Sequence, residues 1–187
     1  MIRLKEAKSS EAMHSEVINF AGWLSQTSLS VAIQAHEWII PTIQSIHIVA
    51  IGVELASVSM IDLRIFGWAG RDQSLLETTE RFGPWLFGAL ALLLATGIVM
   101  VIGEPARELL AFSFWSKMCL VAIGAAVASV FRITVRRNQN YWEHPVSPWR
   151  IKSLALLTLL IWLGVVILGR LIAYDHVWGS WSLSPKA

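Results

Sequence analysis

The chain has 187 residues, 55% of them hydrophobic and only 15% charged, with a formal net charge of +2 and a positive mean hydropathy. These values exclude an ordinary water-soluble domain and point to a polytopic membrane protein. The small net charge, with no basic stripe, excludes nucleic acid as a partner.

The first fifteen residues, MIRLKEAKSSEAMHS, are polar and mixed in charge. No short apolar core with a small-residue cleavage site follows them, so a cleaved signal peptide is not expected. From 15 to 40 the apolar residues fall at 17, 18, 20, 23, 24, 29, 31, 32 and 33, interrupted by Ser, Thr and Gln. That pattern predicts an amphipathic interfacial helix or two short pieces, with a partly inserted fifth helix as the alternative.

Four apolar runs then meet the length needed to cross a bilayer: about 41–62, 84–103, 112–132 and 151–174. Pro41 and Pro84 stand at the starts of their runs, where a missing N–H is harmless, and Gly103 followed by Pro105 closes the second. The expected fold is all-α, an integral membrane four-helix bundle over 41–174. It is preceded by a polar N-terminus and amphipathic helix over 1–40 and followed by a short tail over 175–187. Trp23, Trp38, Trp68, Trp85, Trp149, Trp178 and Trp181 flank the apolar runs, where indole rings favour the headgroup level, while Trp115 and Trp162 fall inside spans. The lone Cys119, in the third run, reads as a small core residue.

The loops at 63–83 and 132–152 carry Arg64, Arg71, Arg81, Arg132, Arg136, Arg137, Arg150 and Lys152. The excess of positive charge predicts that these loops are cytoplasmic and that both termini face outward from a bacterial inner membrane. Membrane lipids are then the first partner, with a homo-oligomer or a larger membrane complex as the expected assembly.

His47 and Glu54 are the ionisable residues inside the first apolar run, and such groups are functional suspects by default. Seven residues apart, they project from nearly the same helix face, as a proton-carrying pair or a ligand with a deeper carboxylate requires. Alternate threading of four spans brings His47, Met100, Glu104, Lys117, Met118, Arg170, Tyr174 and His176 to one membrane face, with His36 just before the first span. A b-type haem needs one or two axial ligands, usually His or Met, and small residues that make room for the macrocycle. His47 is the candidate metal ligand, with His36, Met100, Met118 or His176 as its second. Gly52, Gly97 and the stretch from Gly124 are candidates for space, and Lys117 and Arg170 for neutralising propionates. Copper held by the same histidines is a further possibility. Asp62 and Arg64, at the other end of the first span, read as a structural ionic anchor, with Arg132, Arg136 and Arg137 as candidate partners for Asp62. No GxSxG, HExxH, CxxC, phosphate loop or dinucleotide fingerprint occurs in the sequence.

Pro41, His47, Gly52, Asp62 to Arg64, Pro84 to Trp85, Phe114 to Lys117, and Trp162 with Gly169 and Arg170 together form a spaced pattern across 41–174. This pattern resembles an uncharacterised family of bacterial integral membrane proteins. Relatives in that family carry a further histidine near the end of the third span, where this chain has Val127 to Arg132 and none. A more distant likeness of architecture is to four-helix b-type cytochromes and copper-resistance membrane proteins.

The leading functional expectation is a membrane-embedded redox subunit that binds b-type haem through His47 and passes electrons between quinone and an outward-facing partner. The alternatives are a small proton-coupled transporter or permease using His47 and Glu54, and a structural subunit that anchors a larger membrane complex.

Overall fold

The structure is a computed structural model that describes residues 15–70, 72–143 and 148–172. The described residues contain helices and no strand. Helix α1 covers 15–25. It is followed by α2 (Ser28–Gln34), α3 (Ile39–Phe66), α4 (Leu75–Gly103), α5 (Pro105–Leu109), α6 (Phe112–Arg137), α7 (Gln139–Glu143) and α8 (Pro148–Ile172). Four of them, α3, α4, α6 and α8, are long and apolar enough to cross a membrane, so the chain is a multi-pass membrane protein. The segment before the first span forms two short helices, one of the two forms its interrupted pattern allowed. Tyr174, His176, Trp178, Trp181 and the rest of the tail, with Arg71, lie outside the described residues.

Helix α4 begins nine residues before Pro84, which therefore sits inside the helix rather than at its start. The cause is a reciprocal cap. The Ser74 backbone N–H donates to Glu77 Oε2 at 2.7 Å, and the Glu77 N–H donates to Ser74 Oγ at 3.1 Å. This capping box starts the helix in a polar stretch that hydropathy alone passes over. Cys119 is exposed rather than core, and of the two tryptophans inside spans Trp115 is exposed and Trp162 buried. Trp23, Trp38, Trp68, Trp85 and Trp149 are all exposed, as rings at the headgroup level must be.

The chain forms two compact units, one of Met1–Ile46, Ala95–Ser116 and Leu168–Ala187, the other of His47–Leu94 and Lys117–Ile167. In the first, α2 clips the C-terminal end of α4. The last carbonyls of a helix have no partner within it. Here Ser30 Oγ donates to Ile102 O at 2.7 Å, and Gln34 Nε2 donates to Gly103 O at 3.0 Å and to Ser30 Oγ at 3.0 Å. Gly103 permits the approach, because a Cβ there would lie 2.5 Å from Ile40 Cδ1 and 3.0 Å from Ile33 Cγ2. Glu104 pairs with Arg107, three residues on, and Trp115 Nε1 donates to Leu109 O at 3.0 Å.

The second unit packs segments of α3, α4, α6 and α8 around Val58, Leu86, Ala128 and Trp162, with Leu55, Phe87, Leu90 and Val165 against them. Gly124 lets the Trp162 ring lie flush on α6, since a Cβ at 124 would meet Trp162 Cζ2 at 2.9 Å. Among the four spans α3 is the most enclosed: 39% of its most apolar stretch is buried, against 22% or less in the others. A helix enclosed in this way has a face that lipid does not reach, and polar side chains on that face are shielded from the hydrocarbon.

Candidate functional site

That inner face of α3 carries the polar residues of interest. Its buried residues are His47, Ala50, Glu54, Ser57, Val58, Ile61 and Asp62, spaced by three, four, three, one, three and one. The spacing is that of one helical stripe. His47 is 9% exposed, Glu54 2% and Asp62 5%. Along the axis the seven residues between His47 and Glu54 amount to about 10 Å, and the eight between Glu54 and Asp62 to about 12 Å. Neither step is a direct contact, so any communication between them needs an intermediary.

The hydrogen bonding of these groups differs. Ser57 donates its hydroxyl to Val53 O at 2.7 Å, which leaves its oxygen as an acceptor only. Glu54 Oε1 and Asp62 Oδ2 are buried and meet no hydrogen-bond partner. The indole Nε1 of Trp162, in the same unit, is likewise buried without an acceptor. An unmet buried polar atom costs about 1–3 kcal/mol, so the packing around α3 gives up stability to keep these groups enclosed.

Asp62 lines a cavity of about 40 Å³ bounded by Ile61, Ile65, Thr79, Phe87, Phe131, Arg132 and Thr158 among others. Two of the three arginines expected to pair with Asp62 reach Glu80 instead. Arg136 binds the Glu80 carboxylate through Nε and, at 2.8 Å, through Nη2, and Arg132 Nη2 lies 3.7 Å from Glu80 Oε2. Arg132 reaches Glu80 across Gly83 and over the Phe87 ring, 5.5 Å from its centroid. Its Nε is buried with no hydrogen-bond partner. Arg64 donates from Nε to Gln73 O at 2.7 Å, closing the loop after α3. Arg132 is one of the partners expected for Asp62, whereas nothing in the local pattern of Thr79 and Thr158 distinguishes them from helix-surface groups.

The other sequence candidates divide between the units. His47, Glu54, Lys117 and Met118 belong to one, and His36, Met100, Glu104 and Arg170 to the other. Lys117, Met118 and Met100 are half-buried, and His36 and Arg170 are exposed. His36 stands in the break between α2 and α3, with Nδ1 2.9 Å from Ala32 O, which makes that nitrogen the protonated one. Glu104 binds Arg107. Among the described residues no group of three or more His, Cys, Asp and Glu is placed to hold a metal ion. The room expected for a macrocycle is not enclosed at two of its places: Gly52 is exposed with nothing against it, and the space over Gly124 is filled by Trp162. The residues present therefore do not make a fitted haem pocket at those positions.

A model of a family of unknown function, DUF6644, matches residues 20–175, and the chain belongs to that family. No curated protein and no solved structure matches it.

Proposed function

We propose that this member of a family without an assigned activity is a small proton-translocating membrane protein, a proton-coupled permease, in which the buried face of α3 carries protons between Glu54 and His47. The observation that carries the reading is Glu54 Oε1, enclosed in a span-length helix with no hydrogen-bond partner. Ionisable groups are retained inside membrane spans where they move protons, ions or substrates. A carboxyl group exists in neutral and ionised forms, and an imidazole both donates and accepts. The two are separated by about 10 Å along the helix, so bridging water or side-chain rotation completes the transfer.

The test is acid-driven proton flux into vesicles that contain the purified chain and an enclosed pH dye. Glu54→Gln and His47→Gln should each abolish flux while the protein remains folded. Undiminished flux in the double variant removes the reading.

A redox role, with His47 as axial ligand of a b-type haem and electrons passed between quinone and an outward-facing partner, is the second reading. The enclosed imidazole, with half-buried Met118 and Lys117 in the same unit, favours it. The exposed Gly52 and the filled space at Gly124 weigh against it. Optical spectra of haem-supplemented protein, oxidised and dithionite-reduced, separate the two readings: a Soret band with reduced-state bands that are lost in His47→Gln supports the redox role.

A further inference from the structure

The cavity beside Asp62 lies outside the His47 and Glu54 pair, and its lining has an unusual polar inventory. Three of its four named polar side chains can offer lone pairs. Thr79 donates its hydroxyl to Leu75 O at 2.8 Å and Thr158 donates to Leu154 O at 2.7 Å, so both oxygens face other groups as acceptors only. Asp62 adds an oxygen without a donor, and Arg132 adds an Nε–H without an acceptor. The remaining wall is apolar: Val58, Ile61, Ile65, Leu86, Phe87 and Val127 among others. A volume of about 40 Å³ has room for about three waters, and a water is retained where two or more polar groups surround it. Water is the ligand that both donates to the three oxygens and accepts from the guanidinium.

We propose that this cavity is a hydrated proton-exchange site in which bound water links the Asp62 carboxyl to Arg132 and, along the Arg132 and Glu80 contact, to solvent. The outer end is open: Arg132 is 24% exposed, Glu80 37% and Arg136 52%. In the exchange the O–H bond of the Asp62 carboxylic acid breaks as an O–H bond forms on the adjacent water, which passes a proton to the next water and so to solvent. Arg132 keeps its own protons throughout, because a guanidinium does not deprotonate in a protein. Among the described residues lining the cavity, Arg132 is the one ionisable group besides Asp62; α4 and α8 contribute hydroxyls. The inference deepens the proton-translocating reading by giving the α3 stripe a second station, eight residues beyond Glu54.

Infrared difference spectroscopy of the full chain in lipid tests it without any transport assay. A carboxylic C=O band that titrates with pH and shifts promptly in D₂O is expected, lost in Asp62→Asn and kept in Glu54→Gln. Ala155→Leu places extra volume in the cavity and should slow deuterium exchange at that band about tenfold, as expelled water no longer relays the proton. Thr158→Val keeps the shape and removes one acceptor, and should slow exchange by a smaller factor; it decides the matter where the larger variant does not fold. A band indifferent to Asp62→Asn, or exchange unchanged in a folded cavity variant, overturns the proposal. Loss of flux in the wild-type protein with this infrared behaviour intact would instead remove the translocating function and leave the hydrated site standing.

Discussion

Ser30 and Glu54 are enclosed to nearly the same degree, at 0% and 2% exposure, yet the chain treats them in opposite ways. Ser30 donates to the carbonyl of Ile102 and accepts from Gln34, so its burial completes a helix end. Glu54 Oε1 meets nothing. The same contrast holds for the surroundings. In the unit around α2 the polar groups named above close on backbone carbonyls or on each other. Around α3 a carboxyl oxygen at Glu54, another at Asp62, the Nε of Arg132 and the indole of Trp162 are buried without partners. Burial of a polar side chain is therefore a poor guide to purpose until its bonds are counted. A satisfied group is explained by the fold, and an unsatisfied one is not.

The comparison is broken most sharply at Glu54. Glu54→Gln should remove proton flux entirely. Glu54→Met should remove it too while raising stability by about 1 kcal/mol, because an apolar side chain of similar length relieves the unmet oxygen. Thermal melts of the two variants in one lipid mixture check both statements. A Glu54→Met protein clearly less stable than wild type would show that the carboxyl is structural after all.

On the satisfied side the largest loss is expected at Gly103. A methyl group there would meet Ile40 Cδ1 at 2.5 Å, a chain end that can turn aside, and Ile33 Cγ2 at 3.0 Å, a branch methyl that cannot do so as freely, and overpacking of this kind costs about 1–3 kcal/mol. Gly103→Ala should lower the melting temperature accordingly and leave flux per folded molecule unchanged. Ser30→Ala comes next. It strands one terminal carbonyl and one bond of Gln34, for about 1 kcal/mol, again with no effect on flux. A transport defect in either variant would merge the two classes of buried polar residue that the structure separates.

Much of the fold was legible in the chain, and the reason is physical. A predominantly apolar run of about twenty residues admits few outcomes, and the seven-residue spacing of His47 and Glu54 places both on one face whatever the neighbours do. The start of α4 was equally present in the sequence, as Ser74 and Glu77 three residues apart, although the polar run between 72 and 80 masked it from hydropathy. The Asp62 cavity could not be read in advance. Its outline depends on Arg132 reaching Glu80 beside Arg136, an arrangement made by the packing of α4 on α6 at Gly83 and Phe87 and carried by no local motif. The closing of Gly124 by Trp162 belongs to the same class: glycine in a span announces a close approach, and only the packed helices show which side chain uses it.

The smallest effect is expected at Arg136, and it sharpens the comparison from the outside. Arg136 binds Glu80 through two nitrogens, a geometry that would rank among the firmer ion pairs if it were enclosed. Its side chain is half in solvent, where desolvation, screening and side-chain entropy leave such pairs little net value. Arg136→Gln should therefore leave the melting temperature within experimental error. Arg132, on the same carboxylate but with a buried Nε that meets no partner and a place in the cavity wall, should behave differently: Arg132→Gln keeps a polar group at the rim, removes the charge from the wall, and should move the titration of the Asp62 infrared band. A band that moves equally in both variants would mean that Asp62 senses the summed charge of the rim. A band that moves only with Arg132 would mean that the cavity wall itself sets when Asp62 gives up its proton.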